Sequence, residues 1–124
     1  MYRMMIVDDE KWQREGLCEF LDWSSLGVAL SDAAANGAQG VELAKAVRPH
    51  IVLTDIVMPL MNGLDMSREI RRLLPDVRII LLSGHDDFQY AKEAFSFAAS
   101  DYLLKPVQRE ELEQAIRRIV DALD

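Results

Sequence analysis

Cysteine is nearly missing from this chain. Cys18 is the single one, so no disulfide can close within the chain and a disulfide-stapled secreted fold is excluded. Long apolar runs are missing too: the first, Met4-Met5-Ile6-Val7, stops at Asp8, too short for a secretory leader or a membrane span. The expectation is a cytoplasmic protein, or a domain of one, with no membrane contact. Basic clusters are missing as well. Lys and Arg total 14 against 21 Asp and Glu, a formal charge of -7, so direct contact with a nucleic-acid backbone by this domain is not expected. Histidine is scarce, and His50 and His85 lack the partner spacing of a zinc site. Low-complexity segments, linkers and repeats are not evident. What remains is 124 residues, 50% hydrophobic and 28% charged, the size and balance of one soluble domain with its own core.

Strand-length apolar runs alternate with longer segments of helical period, which predicts successive βα units and a parallel sheet. The candidate strands are Arg3–Val7, Val28–Ala33, Ile51–Thr54, Arg78–Ser83 and Asp101–Leu104. The first, third and fourth are almost continuously apolar, as strands covered on both faces are, whereas Val28–Ala33 is weaker and suits an edge. Five helical segments fit between and after the strands. Leu17, Phe20 and Leu21 form a stripe in the first, Asn36-Gly37 opens the second, and Asn62 caps the third, with Leu64, Ile70, Leu73 and Leu74 its apolar residues. Asp86 or Asp87 caps the fourth, with Phe88, Ala91, Ala94 and Phe95 following. Leu112, Ile116, Ile119, Val120 and Leu123 stripe the fifth. Right-handed crossovers then give an α/β fold, a flavodoxin-like (βα)5 doubly wound sheet of order 2-1-3-4-5.

That topology gathers chemistry at one edge. Asp8 and Asp9 follow the first strand, Asp55 the third and Lys105 the fifth. Three carboxylates held together repel and raise one another's pKa, which a divalent cation relieves; an all-oxygen donor set suits a hard ion such as Mg2+. The three acids, one such ion and one lysine balance in charge. A carboxylate is a competent nucleophile for covalent phosphoryl transfer, and the cation and Lys105 would stabilise charge on the transferring group. Ser83 ends the fourth strand with a hydroxyl suited to a phosphoryl oxygen, and Gly84 leaves room for close approach. Tyr102, three residues before Lys105, carries a ring that can turn inward or outward with Ser83, a two-state element.

Asp8-Asp9, the run from Asp55 through Met58 to Pro59, Gly63, Ser83-Gly84 and Lys105-Pro106 resemble, in order and along essentially the whole chain, the receiver domain of two-component response regulators. Each motif alone is weak; together at the ends of successive strands they are specific. The resemblance implies that Asp55 is the phosphoacceptor, taking its group from a phosphohistidine of a sensor histidine kinase. It implies Mg2+ (or Mn2+) on Asp9 and Asp55, with Asp8 assisting and the Val57 carbonyl as a further ligand. Lys105, followed by a cis peptide to Pro106, would contact the phosphoryl group together with Ser83 and Gly84. Ser83 and Tyr102 would be the switch pair, while Val57 and His85 occupy positions that modulate phosphoryl lifetime. A homodimer through the fourth helix, fifth strand and fifth helix, including Phe95 to Ala99, is implied too. The segments Asp22 to Gly27 and Ser83 to Lys92 are similar to receivers that precede an AraC-type DNA-binding domain. On this reading residues 1–124 are one receiver domain with the output domain absent from the chain, either part of a longer regulator of transcription that meets DNA through that absent domain, or a module acting alone.

Plainer readings stand beside these. Asp8-Asp9 alone is equally a helix cap, Asp55 alone a turn residue, and Lys105 alone a solvated lysine. Met58, Met61 and Met66 read as filler, and Trp12 and Trp23 as packing. An aspartate-nucleophile phosphohydrolase is the competing enzyme, but it needs Asp-x-Asp where this chain has Asp8-Asp9-Glu10. A flavodoxin-like carrier needs a hydroxyl- and glycine-rich loop there, and the acids would repel its phosphate. The expectation is a switch with autocatalytic phosphoryl acceptance and loss, not a turnover enzyme.

Overall fold

A computed structural model describes residues 1–84, 92–94, 96 and 99–124. The strands β1 (Tyr2–Val7), β2 (Val28–Leu30), β3 (Ile51–Asp55), β4 (Arg78–Ser83) and β5 (Asp101–Leu104) form one sheet in the order β2-β1-β3-β4-β5. Every neighbouring pair is parallel. The helices α1 (Lys11–Phe20), α2 (Gly37–Val47) and α3 (Gly63–Leu73) lie between strands, and a C-terminal helix, Arg109–Leu123, follows β5. Lys92, Glu93 and Ala94 are helical where the fourth helix is expected. Its expected cap, Asp86 or Asp87, and its apolar Phe88, Ala91 and Phe95 lie outside the described residues.

The alternation of side chains along each strand splits the core in two. Met4 and Ile6 of β1 face Trp23, Leu26 and the Leu112, Ile116 and Ile119 stripe of the C-terminal helix. Met5 and Val7 face Ala44 of α2 and Leu64, Met66 and Ile70 of α3. Both faces of the sheet are thereby covered, which is why β1, β3 and β4 carry unbroken apolar runs, Met4 to Val7, Ile51 to Leu53 and Ile79 to Leu82. The asparagine caps form as expected: Asn36 Oδ1 accepts from the Gln39 N–H and Asn62 Oδ1 from the Asp65 N–H, both at 2.9 Å.

Some boundaries differ from the sequence reading. The edge strand β2 stops at Leu30, not Ala33, and Ala34 makes only an isolated bridge with Val7. Past Leu30 the Ser31 N–H still donates to the Met4 carbonyl at 2.9 Å, while Ser31 Oγ donates to the neighbouring Asp32 carbonyl in a local pairing. A short 3-10 turn, Ser24–Leu26, precedes β2 and closes on Gly27 at φ 84°, left-handed backbone that favours glycine. Leu73, expected in the apolar stripe of α3, is exposed at the helix end.

Candidate functional site

Register decides which side chains meet. Val7 pairs with Thr54, Asp55 with Leu82, and Ser83 with Leu104. Asp8, Asp55, Ser83 and Lys105 therefore leave the sheet along one edge. Asp55 is the last residue of β3, one place earlier than a residue just past the strand, and it is almost fully buried. The following loop folds back tightly: the Ile56 N–H donates to the Leu82 carbonyl at 3.1 Å and the Gly63 N–H to the Ile56 carbonyl at 2.7 Å. A Cβ on Gly63 would lie 2.1 Å from the Asp55 carbonyl oxygen, so only glycine lets α3 start this close to the acid.

One oxygen from each of Asp8, Asp9 and Asp55 lies within 4.8 Å of the others. Asp55 Oδ1 accepts from the Ile56 N–H at 2.9 Å, and Oδ2 accepts from Lys105 Nζ at 3.0 Å. Lys105 also donates to Gln13 Oε1 at 2.9 Å, and its backbone N–H holds the Ser83 carbonyl at 2.7 Å. Asp8 is fully buried. Its Oδ1 takes the Glu10 N–H at 2.9 Å, while its Oδ2, also buried, has no hydrogen-bond partner. Burial pushes the Asp8 carboxyl above the usual carboxylate range; the Glu10 N–H and Lys105 oppose this, and Asp55 and Asp9 add to it.

That orphaned oxygen tests the cation expectation. A buried acceptor with no donor, in a group of three acids, is what a hard divalent ion would satisfy. Asp8, Asp9 and Asp55 fit such an ion, Asp9 being exposed on the solvent side.

The other expected residues divide. Ser83 is buried at the end of β4, and Gly84 next to it is exposed, with nothing among the described residues within 4 Å of a Cβ position. Tyr102 is half-buried in β5 against the Met5 side of the core. Val57 is 50% exposed at the rim, and Lys105-Pro106 is cis. His85 lies outside the described residues, as do Phe95 and Phe97 of the expected dimer face. Asp8-Asp9 does not cap α1 through a side chain: the N-cap is Glu10, and Asp8 bonds the turn before it. Trp23 packs as expected, its Nε1 donating to the Leu17 and Cys18 carbonyls. Trp12 does not; it is 82% exposed, because the apolar stripe of α1 falls on Leu17 and Phe20 and leaves position 12 outside. Gln13 was not singled out by motif or periodicity. The only signal for it is its place one helical turn after Asp9.

The model of the family described as response regulator receiver domain matches residues 4–117. The chain is 37% identical over 123 residues to the uncharacterized transcriptional regulatory protein YesN of Bacillus subtilis, covering 99% of this chain and 33% of that protein. It is 37% identical to the transcriptional regulatory protein HptR of Staphylococcus aureus, covering 99% of this chain and 48% of that protein. The chain thus spans a third to a half of the length of these relatives. Among solved structures, the REC domain of AraT, a response regulator from Geobacillus stearothermophilus, superposes with a TM-score of 0.92 at 34% identity, covering 98% of this chain and 95% of that one. A two component transcriptional regulator AraC from Clostridium phytofermentans superposes with a TM-score of 0.89 at 34% identity, covering 98% and 94%.

Proposed function

The chain belongs to the response regulator receiver domain family, and from that premise we propose that it is a phosphorylation-controlled switch whose acceptor is Asp55. The observation that carries this is the meeting of Asp55 with Lys105 at 3.0 Å inside a group of three carboxylates, one of them with an orphaned buried oxygen. The donor is a phosphohistidine of a sensor histidine kinase. An Asp55 oxygen forms a bond to phosphorus, the phosphorus–nitrogen bond breaks, and the imidazole leaves with a proton. Asp8, Asp9, Asp55 and the Val57 carbonyl would hold Mg2+ (or Mn2+), which would supply positive charge to the transferring group. Lys105 supplies an ammonium beside Asp55, and Ser83 and Gly84 would border the phosphoryl group.

The product is a conformation, not a turned-over substrate. The added group brings a second negative charge and strong acceptor oxygens beside Ser83 and Lys105. Drawing the Ser83 hydroxyl toward that group lets Tyr102 turn and reshape the face of β5 and the C-terminal helix, a surface suited to a second copy of the chain. Val57 and His85 set how long the state lasts. Relatives named as transcriptional regulators, two to three times longer than this chain, support a regulator that reaches DNA through another domain.

A small phosphodonor such as acetyl phosphate with Mg2+ should add one phosphoryl group to the protein, read by intact mass. Asp55→Asn should carry none; a label that persists on that variant removes Asp55 as the acceptor.

A further inference from the structure

We infer that Gln13 is a positioning residue for Lys105: its side-chain amide holds the ammonium against Asp55 and so sets the rate at which Asp55 accepts a phosphoryl group. This rests on the reading of Asp55 as acceptor. Lys105 is anchored at its backbone, where its N–H meets the Ser83 carbonyl, but its four-carbon stem has wide rotamer freedom. Room to use that freedom exists. A cavity of about 490 Å³ opens beside the Lys105 side chain, lined by Gln13 and Lys105 themselves and by Leu17, Phe20 and Val107. With Asp55 as sole partner the amine would sample this space.

Gln13 Oε1, 2.9 Å from Lys105 Nζ, supplies a second acceptor from a different element. An ammonium fixed between two acceptors, at 2.9 and 3.0 Å, has far less freedom than one tethered to a single carboxylate. The second acceptor is itself well placed. The start of α1 is strapped to the end of β1: the Glu10 N–H donates to Asp8 Oδ1, Arg14 Nη1 donates to the Asp8 carbonyl at 2.8 Å, and the Arg14 N–H donates to the Glu10 carbonyl at 2.9 Å. Gln13 is therefore carried by the same backbone that carries Asp8. Its neutrality matters too. An amide orients Lys105 without adding a fourth negative charge to the three carboxylates, where a carboxylate would compete for the ammonium and for a cation.

Gln13→Met tests the amide alone, since methionine keeps the length of the stem and removes the acceptor; Gln13 is exposed, so the core is undisturbed. The readout is the rate of labelling by acetyl phosphate at saturating Mg2+, with Mg2+ affinity measured separately by calorimetry. Gln13→Met should label about three- to tenfold more slowly, the worth of one ordinary hydrogen bond at an exposed position, with Mg2+ affinity unchanged. Lys105→Ala should be slower by about a hundredfold. Adding Gln13→Met to Lys105→Ala should slow it no further, because an effect that acts through Lys105 vanishes with it. Wild-type labelling speed in Gln13→Met, or a slowing that survives intact without Lys105, overturns the inference and leaves Asp55 as acceptor. No label on the wild-type chain overturns both.

Discussion

The two ends of the sheet handle polar groups in opposite ways. At the N-terminal edge Arg3 and His50 close onto backbone. Arg3 donates from Nε to the Val47 carbonyl at 3.1 Å and from Nη2 to the Arg48 carbonyl at 2.9 Å, satisfying the end of α2. His50 Nδ1 accepts the Arg3 N–H at 2.9 Å, and burial together with the Arg3 charge holds its pKa below the usual histidine range. At the C-terminal edge the acids point at one another, one buried oxygen is left without a donor, and one lysine is shared between two acceptors. The Arg3–His50 corner is closed by the chain's own backbone. The C-terminal edge keeps a buried acceptor without a donor among three acids, an arrangement that costs free energy and is the usual mark of a functional site.

Breaking the C-terminal edge has the largest expected consequence. Gly63→Ala would drive a methyl group into the Asp55 carbonyl, where the nearest atom is backbone and cannot swing aside. A loss of about 3 kcal/mol in unfolding free energy is expected from denaturant melts, together with displaced Asp55 chemistry. A stability equal to wild type would mean that the loop yields, and that its tightness does not hold the acid in place.

Asp8→Asn sharpens the contrast further. Removing the buried charge should raise the stability of the metal-free protein by about 1 kcal/mol while lowering Mg2+ affinity at least tenfold. The same carboxyl gives a pH signature. Its folded pKa lies above its unfolded one, so its contribution to stability is fully present below the ordinary carboxylate range and is lost as pH rises through the folded value. Metal-free protein should therefore lose stability over that interval, and Asp8→Asn should flatten the loss. An unchanged slope in thermal melts across pH would show that Asp8 ionises in the fold without penalty.

The smallest effect belongs to the other end. Arg3→Ala should cost about 1 kcal/mol, through carbonyls of α2 returned to water, and should leave phosphoryl labelling untouched. A labelling defect in Arg3→Ala would show that the two edges are energetically connected.

The sequence made the architecture legible where the chemistry is repetitive. Strands buried on both faces need unbroken apolar runs, and Met4 to Val7, Ile51 to Leu53 and Ile79 to Leu82 supply them. Asn36 and Asn62 announce helix starts by a local hydrogen bond that needs no tertiary context. Asp8, Asp9, Asp55 and Lys105 were legible as a group because parallel topology sends strand ends to one edge. Contacts across long separations were not. Gln13 meets Lys105 over 92 residues, and nothing in the periodicity of α1 points toward it. The short extent of β2 was hidden for a related reason, since Ser31 and Asp32 settle between ladder and local pairing only in the folded chain. Trp12 was misjudged because hydrophobicity alone does not say which side of a one-sided helix a residue takes.

The exposure of Trp12 has a practical meaning. The chain holds two tryptophans in opposite surroundings: Trp12 in water on the first turn of α1, next to Gln13, and Trp23 5% exposed beneath the C-terminal helix. Their emission should differ in wavelength and in access to a dissolved quencher. The red, quenchable component then reports the first turn of α1, and the blue, protected one reports the integrity of the core. One fluorescence spectrum of the unlabelled protein would separate a change at the start of α1 from loss of the fold.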